Sequence, residues 1–205
     1  HELYCTGHLI EAAIAYHKAT GKDKLLKCML KNVDCIYRIF VEEGSARFTT
    51  PGHEEIEIAL IKLYDYTGDK KHLDLARFFI DKRGTCENDD LKWNGDGWFD
   101  YFQSEMPVRE MSEAKGHAVR AGYLYAAMAL LPRTDGDSSL KDACDRLFSN
   151  IVNTKMSITG GVGAQKHGEI YSYSYNLPNR DVYNETCAAI SLAMLAGAMQ
   201  EIEEQ

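Results

Sequence analysis

Glu185-Thr186-Cys187 sets a hard carboxylate and a soft thiol two residues apart. At a helix entrance both side chains can reach one ion before the turn carries them to different faces, and that pairing suits part of a tetrahedral zinc site. The same spacing also fits a surface carboxylate beside a core thiol. Glu169 follows Gly168 and precedes Tyr171, Tyr173 and Tyr175. Aromatic surroundings favour the protonated form of a carboxyl group, which general acid work requires, and they offer ring faces on which a sugar stacks. A surface Glu on a hairpin answers to the same residues. His8, His53 and His117 each follow a glycine, in Gly7-His8, Gly52-His53 and Gly116-His117. They read as helix-start residues that cap the helix or offer a ring nitrogen to a ligand.

The elements that must position these groups are helical pairs. Leu9, Ile10, Ala13, Ile14 and Tyr16 recur at helical spacing, Thr20-Gly21-Lys22-Asp23 breaks the run, and Leu25, Leu26, Met29, Leu30, Val33, Ile36 and Tyr37 resume it. Ile56 to Tyr64 and Leu73 to Ile80, joined through Thr67-Gly68, repeat the pattern. His117 to Leu131 and Leu140 to Val152, joined through Thr134-Asp135-Gly136, repeat it again. A last helix runs from Ala188 to about Glu203, which makes three pairs and a single helix, and thus an all-α architecture of like units. Two segments stand outside it. A polar and aromatic insertion between Gly84 and Lys115 contains Trp93-Asn94-Gly95-Asp96-Gly97-Trp98, a setting for ligand contacts. From Met156 to Tyr183 the pattern departs from helix and reads as an extended excursion or irregular hairpin. If the first helix of each pair lines a ring, His8, His53, His117 and Cys187 hold equivalent places at one mouth. Unpaired N–H groups at the helix starts would favour anionic and hydroxyl-rich ligands there.

Composition excludes some partners. A net charge of -8, with no concentrated Lys/Arg stripe, disfavours nucleic acid and anionic membrane surfaces, and no apolar run is long enough to span a bilayer. Six scattered cysteines lack the spacings of a disulfide framework or a two-knuckle zinc site. They read as reduced, mostly core residues, and reduced thiols favour a cytoplasmic setting without fixing it.

Several segments, taken in order, resemble glycoside hydrolase family 127, the β-L-arabinofuranosidase family. They are His1-Glu2-Leu3-Tyr4-Cys5-Thr6-Gly7-His8-Leu9-Ile10-Glu11-Ala12-Ala13, Pro51-Gly52-His53-Glu54-Glu55-Ile56-Glu57, Gly116-His117-Ala118-Val119-Arg120, Thr159-Gly160-Gly161-Val162-Gly163, Gly168-Glu169, Leu177-Pro178-Asn179 and Glu185-Thr186-Cys187-Ala188. Together they cover nearly the whole chain. The resemblance implies an (α/α)6 barrel and retaining hydrolysis that releases L-arabinofuranose or a similar sugar through a zinc-bound cysteine. It implies Glu169 as the acid/base, His1, His53 and His117 as sugar-pocket residues, and Glu185 and Cys187 as zinc ligands. His8 receives no role from it. The family's nucleophile and a further ligand come from a Cys-Cys-Pro segment that this sequence does not contain.

The expectation is therefore one partial catalytic barrel domain over 1–205, lacking N- and C-terminal parts of the barrel. Alone it should be inactive, with an incomplete zinc site in which the metal need not be present. Its partner is a carbohydrate, and apolar faces at its open edges favour self-association. A non-catalytic helical-repeat module binding carbohydrate or protein is the alternative. A zinc-dependent cyclase-type toroid is a third reading, which leaves Glu169 without a role.

Overall fold

The Thr-Gly signals end helices as the sequence implies. Gly21, Gly68 and Gly136 sit at C-caps with φ of 71°, 73° and 72°, a left-handed conformation that costs glycine nothing. Before each of the first two, the preceding threonine turns its hydroxyl back to the carbonyl four residues earlier, Thr20 to Tyr16 and Thr67 to Leu63. The next helix then opens on an aspartate. Asp69 accepts from the Lys71 amide, and Asp137 accepts from those of Ser139 and Leu140.

The computed structural model describes residues 1–85 and 99–203. The Trp93–Trp98 segment singled out above, and Cys86, lie outside the described residues. The helices are α1 (Glu2–Thr20), α2 (Lys24–Tyr37), α3 (Ile56–Thr67), α4 (Lys70–Lys82), α5 (Ala118–Leu130), the single turn α6 (Pro132–Asp135), α7 (Ser138–Asn150) and α8 (Thr186–Glu203). The three expected pairs are α1/α2, α3/α4 and α5/α7, and α8 is the single helix.

Packing separates the helices into two layers. α1 lies against α3, α3 against α5 and α5 most extensively against α8, while α2, α4 and α7 each back onto their own partner. The inner helices are correspondingly the more buried. Ile56–Ile61 of α3 are all buried, and of α5 only Tyr123 escapes. The outer helices α2, α4 and α7 bury one stripe each, such as Leu140, Ala143, Cys144 and Leu147 of α7. α1 and α8, at the two ends of the inner row, leave Leu9, Tyr16 and Ile190 between 41% and 53% exposed. This is an open arc of helical hairpins.

Two sequence readings need correction. α1 begins at Glu2, so His8 lies well inside the helix and His1 holds the N-cap that the Gly-His pattern assigned to His8. The cysteines are mostly not core residues: Cys5, Cys28 and Cys35 are exposed, Cys187 is half-buried, and Cys144 alone of those described is buried. The first three lie on faces of α1 and α2 that no other described helix covers, and cysteine type alone does not reveal a helix's outward face.

Between α7 and α8 the chain forms the irregular hairpin, with isolated antiparallel bridges and no strand among the described residues. Gln165 and Ile170 exchange both backbone hydrogen bonds at 3.2 Å, closing a loop whose last residue is Glu169. The Tyr171 amide donates to the Gly116 carbonyl at 2.9 Å, pinning that loop to the start of α5. The amides of Tyr183 and Asn184 donate to the carbonyls of Ala164 and Gly163, each at 3.1 Å, so Tyr183 returns beside the same loop.

Candidate active site

His117 is the N-cap of α5, and its Nδ1 accepts the Val119 amide at 3.2 Å. That bond fixes the tautomer, because the remaining ring proton of the neutral imidazole must then sit on Nε2. Nε2 faces Glu169 Oε2 at 3.0 Å. The other carboxylate oxygen, Oε1, accepts from the Tyr183 hydroxyl at 3.2 Å. Glu169 itself holds a left-handed φ of 56° directly after Gly168 at 77°, a backbone that lifts its side chain off the loop toward α5. Tyr171 is buried, and Tyr173 and Tyr175 are exposed. The partners of Glu169 are His117 and Tyr183 rather than the tyrosine run beside it in sequence.

The approach of the Tyr101 turn to His117 depends on Gly116. At its φ of 68° a Cβ would stand 2.0 Å from the Asp100 carbonyl oxygen and 2.6 Å from the Tyr101 Cα. With glycine there, the Tyr101 carbonyl accepts the His117 amide at 3.3 Å and the Tyr101 ring meets the imidazole edge-on at 5.6 Å.

His53 precedes α3 and presents the complementary tautomer. Its Nδ1 donates to the Glu54 carbonyl at 2.8 Å, which leaves Nε2 bare as an acceptor. Burial lowers its pKa to about 4, and the positive charge of Arg120 pushes the same way. Burial, then Arg120, also lowers the pKa of His117, against the pull of Glu169. The rings form a row: His1 lies 6.4 Å from His53, and His53 lies 5.9 Å from His117. Tyr4 and Tyr123 flank His53 at 4.5 and 5.8 Å. The helix starts thus gather at one mouth, with His1, Glu55 and His117 as N-caps and Glu185 just before α8.

Glu185 and Cys187 meet one another, the thiol donating to Glu185 Oε1. Burial, and then that hydrogen bond, raise the Cys187 pKa to about 11. A carboxylate and a sulfur already in contact fit half of a tetrahedral zinc site, and a metal would take the place of the shared proton. Among the described residues the three-member group with metal-ligand spacing lies elsewhere, at His8, Glu11 and Glu55. The Lys62 ammonium already pairs with Glu11 there. Burial and the Glu11 carboxylate push Glu55 well above the usual carboxylate range, which favours its protonated form in that seam between α1 and α3.

The structure therefore brings His1, His53, His117 and Glu169 into one row, and pairs Glu185 with Cys187 at the same mouth. His8 departs from the row and pairs with Glu55 at 3.2 Å. Sequence reasoning missed Tyr183, Tyr4, Tyr123 and the buried Arg120. The position of Tyr183 two residues before Glu185 was the available signal for it, whereas the others become visible only when the helices are placed side by side.

Inner and outer helices in hairpin pairs, with acidic and imidazole groups around the inner N-termini, place the described residues among helical-hairpin folds that gather polar groups at one mouth. The family model for the β-L-arabinofuranosidase GH127 catalytic domain matches residues 1–205, and the chain belongs to that family. A non-reducing end β-L-arabinofuranosidase of Bifidobacterium longum subsp. longum is 41% identical over 99% of this chain and 33% of its own length. The crystal structure of a GH127 β-L-arabinofuranosidase from Geobacillus stearothermophilus T6 superposes with a TM-score of 0.93 at 45% identity, covering 99% of this chain and 34% of that one. A further GH127 β-arabinofuranosidase structure gives a TM-score of 0.90 at 43% identity, covering 100% of this chain and 31% of that one. The chain spans about a third of the length of these relatives. No helix among the described residues is long and apolar enough to cross a membrane.

Proposed function

We propose that this chain is the sugar-binding and acid/base part of a retaining glycoside hydrolase acting on β-L-arabinofuranosides or closely similar sugars. The observation that carries the reading is the placement of Glu169 between the His117 Nε2–H and the Tyr183 hydroxyl, at the mouth where the histidines converge. With Oε2 engaged by His117, Oε1 is the oxygen that delivers a proton to the leaving glycosidic oxygen and later takes one from water. Tyr183 can turn its hydroxyl to follow either state. The bare Nε2 of His53 accepts from a sugar hydroxyl, His1 stands at the rim of the same row, and Tyr4 and Tyr123 supply ring faces for the sugar.

Glu185 and Cys187 would hold zinc together with ligands from the rest of the longer protein, and the chemistry zinc supplies there is an ionised, oriented cysteine nucleophile. The chain alone, lacking that nucleophile, should hydrolyse no glycoside.

The test is Glu169→Gln in the longer protein. Loss of the acid should slow an unactivated β-L-arabinofuranoside by about 10²- to 10⁴-fold. An aryl glycoside whose leaving group needs no proton should lose far less at the glycosylation step. Equal losses would sink the assignment.

A further inference from the structure

Arg83, directly after α4, is fully buried and reaches four acceptors at once. Its Nη1 donates to the Phe102 carbonyl at 2.7 Å and pairs with Glu54 Oε1 at 2.8 Å. Its Nη2 lies 3.4 Å from the Pro51 carbonyl and 3.3 Å from Glu57 Oε1. Pro51 and Glu54 stand on either side of His53, so the guanidinium grips both ends of the turn that carries that imidazole. Glu57 extends the grip, since its Oε2 accepts the Glu55 amide at 3.1 Å where α3 begins. On the opposite side, Phe102 closes the helical turn Asp100–Phe102, whose Tyr101 accepts the His117 amide and packs its ring on the imidazole. Arg120, on the first turn of α5, stacks over the rings of Tyr101 and Phe102 at 5.4 and 5.0 Å and so completes the floor.

We infer that Arg83 is a positioning residue for His53 and His117: one guanidinium, touching neither ring, fixes the turn under the first to the turn that braces the second. The inference rests on the sugar-pocket reading of those histidines. Only a planar fork with diverging N–H groups donates to three acceptors in these directions while holding its charge beside the Glu54 carboxyl, so lysine, though cationic, cannot replace it. A hydrophobic side chain would strand the buried Glu54 and Glu57 carboxylates.

The experiment is NMR of the 205-residue chain with labelled histidine, comparing wild type with Arg83→Lys. The charged and titratable groups facing His53 are Arg120 and His117 from α5 and His8 from α1, with Tyr4 and Tyr123 beside it, and the substitution replaces none of them. We expect the cross-peaks between the His53 and His117 rings to vanish and the His53 titration to move up toward the ordinary imidazole range. His17, held by Tyr66 at the far end of α1, should keep its signals. Unchanged ring cross-peaks and an unchanged His53 titration in a folded but less stable variant would reduce Arg83 to a structural residue and overturn the inference. If Arg83→Lys does not fold, Glu54→Leu decides. It releases the His53 side alone, so His53 signals should move while those of His117 stay, and no movement of either overturns the inference. Added L-arabinose should shift both rings in the wild type. Failure of that shift removes the sugar-pocket reading and leaves the Arg83 result standing as a statement about geometry.

Discussion

His117 and Glu169 meet at 3.0 Å with the direction of the proton settled by the helix that follows: Nδ1 accepts the Val119 amide, so Nε2–H donates to Glu169. One imidazole thus caps α5 and orients the proposed acid. The two roles use different nitrogens, and substitutions can separate them.

An asparagine at position 117 keeps a good N-cap and is too short to reach Glu169, whereas alanine loses both functions. His117→Ala should cost about 1 kcal/mol of unfolding free energy from the lost cap, and His117→Asn only a fraction of that. In a full-length GH127 relative the equivalent variants should both lose turnover to a similar degree. Denaturant unfolding of this chain beside kinetics of such a relative checks this. If His117→Asn retains wild-type turnover, the Glu169 contact is not used.

His53 carries a stability signature. Its folded pKa, near 4, lies below the ordinary value of 6.5, so the unfolded chain takes up the proton first as the pH drops. The neutral ring's contribution is intact above about 6.5 and is lost as the pH falls from there toward 4, with a limiting slope of about 1.4 kcal/mol per pH unit for one proton. Glu54, raised to about 7 chiefly by burial, opposes it: its protonated form supports the fold at low pH, and that support fades as the pH rises above 4.5. Comparing wild type with His53→Gln cancels the Glu54 contribution. The difference in unfolding free energy between the two should move in favour of the variant across that acid window, and a difference independent of pH would contradict the buried neutral ring.

The open ends of the helical row bear on behaviour in solution. Leu9 and Tyr16 on α1 and Ile190 on α8 lie uncovered beside small residues, Ala12 and Ala193 among them, on the same faces. Apolar faces of this kind favour association. The chain alone should show a mass above that of a monomer by light scattering, and Leu9→Lys together with Ile190→Lys should reduce it. A monomer at every concentration would remove this expectation.

Hairpin pairing was legible because Thr-Gly stops and apolar periodicity are local physics, and each marks one end or one face of a helix. The start of α1 was not. Gly7-His8 imitates Gly116-His117, but Gly7 is a packing glycine, where a Cβ would press on the Glu55 side chain at 2.7 Å. Two glycines of the same local sequence thus serve different ends, a close helix approach in one case and a left-handed turn in the other. The carboxylate of the site was also visible, as Gly168-Glu169, while its surroundings were misjudged. The tyrosines near it in sequence are directed elsewhere, and Tyr183 arrives through backbone bonds to Gly163 and Ala164 that no short motif encodes. Arg83 and Arg120 stayed silent for the same reason, since a buried cation is recognised by its partners and not by its neighbours in the chain.

The Glu185–Cys187 contact yields the last prediction. With its pKa raised to about 11, the Cys187 thiol is protonated at neutral pH, and zinc must displace that proton before the sulfur can bind. Apparent zinc affinity at this pair should therefore rise about tenfold for each pH unit over the range below the thiol pKa. With two ligands supplied by this chain, binding should also be weak enough for zinc to leave on dialysis. Competition with a chromophoric chelator at slightly acid and slightly alkaline pH measures the slope, and Cys187→Ser should abolish it. Zinc retained stoichiometrically through dialysis, with no dependence on Cys187, would show that another set of side chains holds the metal and that the contact between Glu185 and Cys187 is only a hydrogen bond.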